Sequence, residues 1–166
     1  PLFWSIMASY QKQRILTFLA PSADPLGAGY NSIQSTIAAG SGRLFGTGLG
    51  KGIQTQLAFL PEKQTDFIFA ATAEELGMVG AAIVLLASFI ILFRLTYFME
   101  NSVSPAGRAY ISGLFLIYLV QIFIHVGMNM GILPVTGVPF PLLSAGGSSL
   151  LATMIGLGIA VGAYKK

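Results

Sequence analysis

The chain has 166 residues, of which 54% are hydrophobic and only 9% charged, with a formal net charge of +3 and a mean hydropathy of +0.76. Soluble domains carry about 25% charged residues, so these charges are too few to cover a water-facing surface. No cysteine occurs, which excludes disulfides and thiolate chemistry; the single histidine and six carboxylates are too scattered for a zinc-type cluster, and no basic run points to nucleic acid.

The chain opens Pro1-Leu2-Phe3-Trp4, with no basic region ahead of its apolar stretch, so no signal peptide is read there. With no initiator Met, the sequence is expected to be the C-terminal part of a longer polytopic protein. Residues 2–10 are expected to be the tail of a preceding helix, and residues 1–64 as a whole that tail plus a large extracytoplasmic loop. Within the loop, the run Gly40-Ser-Gly-Arg-Leu-Phe-Gly-Thr-Gly-Leu-Gly-Lys-Gly52 invites a phosphate-loop reading. It fails: a Walker A loop needs glycine where Phe45 stands, and Ser or Thr where Gly52 follows Lys51. The dinucleotide fingerprint fails too, because Gly46 and Gly48 lead to Lys51, and Gly48 and Gly50 to Ile53. Two readings stay open. One is a tightly turning loop that hugs the membrane surface; the other is an approach of backbone N–H groups, Arg43 and Lys51 to an anionic lipid head group.

The first membrane span is expected over residues 65–98, around the uncharged run 76–93, since a spanning helix needs about 20 apolar residues. From Asp66 to Leu76 adds about 15 Å at 1.5 Å per residue. These first turns should therefore stand in the outer interface or line a cavity, because Asp66, Glu74 and Glu75 would be costly against lipid. Asp66, Ala70, Ala73, Gly77 and Gly80 form one stripe at spacings of three and four. Small stripes favour close helix contact, yet the same stripe topped by an acid suits a cavity wall. Thr72-Ala-Glu-Glu75 matches a capping box just before the apolar run.

The second span is expected over 104–130, with Ser104 as N-cap and Pro105 at the first helical position. His125 lies on it among apolar neighbours and reads as a hydrogen-bonded packing residue. The loop 131–142 carries Pro134, Pro139 and Pro141 and leads into Ser144-Ala-Gly-Gly-Ser-Ser149. Irregular backbone at membrane depth is tolerated only against protein or a wet cavity, so this loop is the second candidate wall of a site. The third span is expected over 143–164, where Gly158 and Gly162 permit close packing, ahead of Lys165 and Lys166.

Short-loop basic residues set orientation. Arg94, Arg108, Lys165 and Lys166 fall on one side in this three-span arrangement. Lys12, Arg14, Arg43, Lys51 and Lys63 sit in a long segment, and long loops translocate largely regardless of charge. The C-terminus is thus expected in the cytoplasm and the long segment outside.

Several segments together resemble a known family. Asp24-Pro-Leu-Gly-Ala-Gly-Tyr30, Gln34-Ser35, Phe59-Leu-Pro-Glu-Lys-Gln-Thr-Asp-Phe-Ile-Phe-Ala70, Glu74-Glu-Leu-Gly77, Gly131-Ile-Leu-Pro-Val-Thr-Gly137 and Pro141-Leu-Leu-Ser-Ala-Gly-Gly-Ser-Ser149 resemble the SEDS proteins of shape, elongation, division and sporulation (RodA, FtsW and SpoVE). The match runs through essentially the whole chain in order. Gly40-Ser-Gly42 and Gln54-Thr-Gln56 look more like the RodA branch than the FtsW branch.

The resemblance implies an all-α polytopic fold: the last three transmembrane helices of a ten-helix bundle in the cytoplasmic membrane, plus a large outer loop. It implies an inverting peptidoglycan glycosyltransferase that polymerises lipid II, for cell elongation and shape or for division, beside a class B penicillin-binding protein. Asp66 matches the family's essential carboxylate and is the expected catalytic base or metal ligand, with Mg or Mn as the divalent cation. Lys63, Thr65, Gln34, Arg43, Glu75, Ser144, Gly146 and Ser148 are the expected substrate-binding residues. Two positions depart from the family pattern: Gln64 stands where His is common, and Ala145 where Tyr is frequent. Rival readings are a lipid II flippase, which would need a polar path open to both faces, and a non-catalytic scaffold that activates the penicillin-binding protein. The uniformly apolar inner halves of the three spans speak against the path.

Cysteines placed at Ser102 and Ser41 test the orientation with an impermeant reagent in intact cells. Labelling is expected at Ser41 and absent at Ser102; the reverse pattern would invert the topology.

Overall fold

The computed structural model describes residues 7–20, 28–56 and 62–165. Most of the expected helix tail at 2–10, parts of the motifs around Asp24 and Phe59, and Lys166 lie outside them. Among the described residues all regular structure is helical: α1 (Ser9–Leu19), α2 (Ala28–Ser41), α3 (Ile53–Gln56), α4 (Ile68–Glu100), α5 (Pro105–Asn129) and α6 (Gly147–Lys165). α4, α5 and α6 are long and apolar enough to cross a membrane. Their most apolar stretches are only 22%, 28% and 17% buried within the chain, so most of that surface is left for lipid or further protein. Phe93, Phe123 and Leu151 are among the side chains so exposed. The chain is an all-α membrane protein.

Among the described residues, the segment expected as an outer loop before residue 65 carries the three helices α1, α2 and α3. α2 escapes a hydropathy reading because its buried face is made of small residues. Ser32, Ser35 and Ala38 recur every three positions and are buried, and Ala38 packs on Phe67 and Ala70. The hydroxyls need no outside partner: Ser35 Oγ and Thr36 Oγ1 both donate to Ser32 O, at 2.9 and 3.0 Å.

α4 starts at Ile68, later than the expected Thr65 or Asp66. Residues 62–67 form a turn in which the amides of Thr65, Asp66 and Phe67 converge on Glu62 O, at 3.1, 3.1 and 3.3 Å. The expected capping box at Thr72 does not form, because Thr72 is already inside the helix and its Oγ1 donates to Ile68 O (2.7 Å). α5 starts as expected, with Pro105 at its first position and Ser104 Oγ accepting from Gly107 N at 3.5 Å. α6 starts at Gly147 and not at Leu143. Leu142 has φ 64° and Ser144 N returns to Phe140 O (3.1 Å), which closes a turn where helix was expected.

The feature that organises the fold is a break in α4 at Gly77, whose φ 71° and ψ −169° are not helical. A break strands carbonyls on one side and amides on the other, and in apolar surroundings each must find a partner. The glycine-rich loop supplies them. Thr47 N and Oγ1 donate to Glu74 O (2.9 and 3.1 Å) and Gly48 N to Glu75 O (3.0 Å), while Met78 N and Val79 N donate to Arg43 O and Leu44 O (2.8 and 3.1 Å). Such contact requires bare backbone. A Cβ on Gly42 would stand 1.8 Å from Ala73 O, and one on Gly46 2.1 Å from Glu75 O. The backbone of this tightly turning loop is therefore spent on α4 and not on a phosphate, and the loop plugs the break while Leu44, Phe45 and Leu49 stay exposed. Beyond the break, Met78 to Glu100 covers about 34 Å, enough to cross the roughly 30 Å hydrocarbon layer. The piece 68–76 is free to build the site.

At the far end of the bundle, Leu92, Leu95, Ile111, Tyr118 and Ala160 join α4, α5 and α6. Tyr118 Oη donates to Thr153 O (2.9 Å) and Tyr110 Oη to Gly156 O (3.2 Å). Gly156 is the close-packed glycine here. Gly158 and Gly162, expected to pack, face open space: a Cβ on either would meet nothing within 4 Å. Ser102 is buried against Ala163 O and Ser104 O, so the cysteine reporter for the loop between α4 and α5 belongs at Val103, which is 80% exposed.

Gly77→Ala should lower the melting temperature in detergent. Its φ and ψ belong to a region essentially reserved for glycine, where strain is of order 1–3 kcal/mol, and its Cβ would fall 2.3 Å from Gly46 N. Gly113→Ala in α5, with open space around it, should be neutral or gain about 0.5–1 kcal/mol. Equal melting temperatures for the two variants would argue against a break at Gly77.

Candidate active site

Asp66 sits in the turn ahead of α4, half-buried, and opens on a cleft of about 210 Å³. Arg14, Asn31, Ser32, Glu62, Pro134 and Val135 are among the residues that share it. α1 thus supplies a guanidinium, α2 two neutral polar groups, the turn two carboxylates, and the loop before α6 the opposite wall. Arg14 is held across the cleft, since Nη1 donates to Val135 O (3.1 Å). Glu62 is held by Thr65, whose Oγ1 donates to Glu62 Oε2 (3.1 Å). Thr65 therefore orients a neighbouring acid and does not cap the helix.

The loop 131–146 is bound to the rest by directed contacts. His125 Nδ1 hydrogen-bonds Val138 O (2.8 Å), with the proton on Nδ1 because the carbonyl only accepts. Phe140 stacks on Phe69 with ring centres 6.5 Å apart and meets the His125 ring edge-on at 5.4 Å. Ser144 is buried, takes a hydrogen bond from Phe140 N and gives one to Thr65 O, both 2.8 Å. It is a strut between the two walls. Ala145 N donates to Gln64 O (2.8 Å), so the two positions that depart from the family pattern are backbone neighbours. A carboxylate oxygen of Asp66 lies 3.5 Å from where a Cβ on Gly137 would stand, an ordinary contact distance, and it is the backbone at φ 74° that favours glycine there.

Other expected site residues are dispersed. Lys63 and Glu75 line a separate cleft of about 350 Å³ together with Thr55 and Gln64. There Lys63 Nζ donates to Thr55 O, and Thr55 Oγ1 to Glu75 Oε1 (3.3 Å). Arg43, with φ 48°, borders an apolar cleft of about 590 Å³ under the plug. Gln34, Gly146 and Ser148 line none of these three clefts. Gly146 instead accepts from Leu150 N (2.8 Å) at the start of α6. Glu74 is buried for a structural reason: its oxygens accept from Gln54 N and Thr55 N, at 2.8 and 3.0 Å, and anchor α3.

The sequence reading missed Arg14, set aside as a long-loop charge, and Asn129, which carries no motif. Neither has a sequence signal of its own; only the packing of α1 and the end of α5 against the Asp66 turn brings them there. Among the described residues, no group of three or more His, Cys, Asp or Glu forms a metal cluster. Two carboxylates in one cleft, Asp66 and Glu62, nevertheless fit a divalent cation of the Mg type, which binds through one or two carboxylates with substrate phosphates completing the shell.

The chain is similar to several known proteins over nearly its whole length. Peptidoglycan glycosyltransferase MrdB of Escherichia coli strain K12 is 50% identical over 160 residues, covering 96% of this chain and 43% of that protein. Peptidoglycan glycosyltransferase RodA of Treponema pallidum is 42% identical over 154 residues, covering 93% and 36%. Stage V sporulation protein E of Bacillus subtilis is 40% identical over 154 residues, covering 93% and 42%. The chain thus spans less than half the length of these relatives. A solved chain from a peptidoglycan synthase complex that coordinates polymerization and crosslinking superposes with a TM-score of 0.73 at 35% identity, over 98% of this chain and 44% of that one. The model of the cell cycle protein family FtsW/RodA/SpoVE matches residues 1–166, and the chain belongs to that family.

Proposed function

We propose that this chain forms the acid-bearing wall of the active site of an inverting peptidoglycan glycosyltransferase, which polymerises lipid II at the outer face of the cytoplasmic membrane. The observation that carries the reading is that Asp66 and Arg14 line one cleft, beside the helix that spans the membrane. Asp66 takes the proton from the 4-hydroxyl of the acceptor sugar as that oxygen attacks the anomeric carbon of the donor. The bond to undecaprenyl pyrophosphate breaks on the opposite face and the leaving group departs with its electron pair. Arg14 faces that developing charge, while Lys63, expected among the substrate-binding residues, lines a separate cleft. A divalent cation held by Asp66 and Glu62 would neutralise pyrophosphate charge when bound. The partner we assign is a class B penicillin-binding protein, a reading supported by the likeness to a complex that couples polymerization with crosslinking. The cytoplasmic C-terminus rests on the short-loop charge rule.

Glycan polymerisation from purified lipid II, by the full-length protein with its partner, tests the assignment. Asp66→Asn should lower turnover by at least about 10²-fold, the low end for loss of a general base. Folding should survive, because Asp66 is tied into the structure through its backbone: N to Glu62 O, and O from Asn129 Nδ2. Near wild-type polymerisation by Asp66→Asn would refute the catalytic role and leave the scaffold reading standing. In the same assay Arg14→Gln should cost about 10²-fold, the scale for losing one preorganised charge-stabilising donor. Lys63→Gln should cost clearly less, and the opposite order would return the phosphate side to Lys63.

A further inference from the structure

Asn129 ends α5 and is wholly buried. A buried amide is retained at low cost only if its polar atoms are partnered, and here they are. Oδ1 accepts from Ala70 N (2.9 Å), while Nδ2 donates to Asp66 O (3.0 Å) and His125 O (2.8 Å). The first amides of a helix have no partner of their own, and α4 has no side-chain cap from Phe67, its N-cap residue. Asn129 supplies the missing acceptor from another helix. It also grips the carbonyl of the residue that carries the acid, and the N–H of that same peptide, on Phe67, donates to Glu62 O (3.3 Å).

The same helix end fixes the facing wall. One turn back, His125 holds Val138 O, and next to Val138 stands Gly137, against which the Asp66 carboxylate rests. Two side chains of α5, both within its last turns, thus hold one the turn that carries the acid and the other the loop that faces it.

We propose that Asn129 is a positioning residue for Asp66: it sets the direction of the carboxylate by clamping the peptide on either side of the helix start. This rests on the reading of Asp66 as the base. A base must come within about 2.6–3.2 Å of its proton, and the Asp66 side chain turns with the backbone that Asn129 holds. Asn129 touches no reacting atom, so its loss should act on turnover and not on substrate affinity.

The test uses the full-length protein with its partner and purified lipid II. Asn129→Leu, similar in shape but unable to bond, should lower kcat by at least about tenfold, since misplacement by about 1 Å can cost 10²-fold, with KM for lipid II essentially unchanged. Leu95→Ala, in the core cluster at the far end of α4, serves as a destabilised control and should keep the kcat of the folded protein. If Asn129→Leu is not recovered folded, Asn129→Ser, too short to reach both Ala70 and Asp66, is judged by the same criterion. Wild-type kcat for the Asn129 variant, a loss expressed in KM alone, or an equal kcat loss for Leu95→Ala would overturn the proposal. Asp66→Asn runs alongside. If it stays active, the functional reading itself fails; if it is inactive while the Asn129 variant is not, only the positioning role falls.

Discussion

Backbone amides and carbonyls cannot go unpartnered in apolar surroundings, and the break at Gly77 puts four such groups at the edge of a membrane span. The glycine-rich loop fills it from both sides, through Thr47 and Gly48 on one and Arg43 and Leu44 on the other. Much of the remaining architecture hangs on that insertion. Because the loop is seated there, Glu74 can reach the amides of Gln54 and Thr55 and anchor α3. A Cβ on Gly52 would lie 2.7 Å from the Glu74 carboxylate, so the chain passes that point only as glycine. α3 in turn offers Thr55 O to Lys63 and draws its ammonium away from the Asp66 cleft. A backbone-level constraint thus places Lys63 in a different cleft from the one that Arg14 shares with Asp66.

The break also separates two tasks that a continuous helix would have to combine. The segment beyond Gly77 is long enough to cross the hydrocarbon layer alone. The piece 68–76 is released to pack Phe69 on Phe140, to bury Ala70 and Ala73, and to carry the Asp66 turn. Glu74 and Glu75 on this piece find hydrogen bonds in the α3 region and not in lipid, which resolves the desolvation problem their sequence position poses.

The acid itself stands where four chain segments meet. Its own turn provides Glu62, α1 provides Arg14, α2 provides Asn31 and Ser32, and the loop after α5 closes the far side with Pro134 and Val135. That loop has no regular structure to hold it. Its rigidity comes from His125 to Val138, from Ser144 to Thr65, and from Ala145 to Gln64. The Gln64 and Ala145 pair is informative in this light: two departures from the family pattern, far apart in the chain, share one backbone hydrogen bond and so belong to one local environment.

Composition and periodicity by themselves determined the solvent class of the chain, its three spans, the start of α5 at Ser104-Pro105, and the candidacy of Asp66. These are readable because hydropathy and capping act over a few neighbouring residues. Motif wording added the family. What the sequence did not disclose was decided by tertiary structure. α2 hides its buried face in serines and alanine, the glycine run has no visible purpose until its partner carbonyls are in place, and the stripe through Gly77 reads as continuous helix until the backbone turns there. Arg14 and Asn129 carry no local signal, because their roles depend on which groups stand opposite them. Asn129 meets Ala70 and Asp66 across 59 and 63 residues of chain, and no short-range pattern records a partner at that distance.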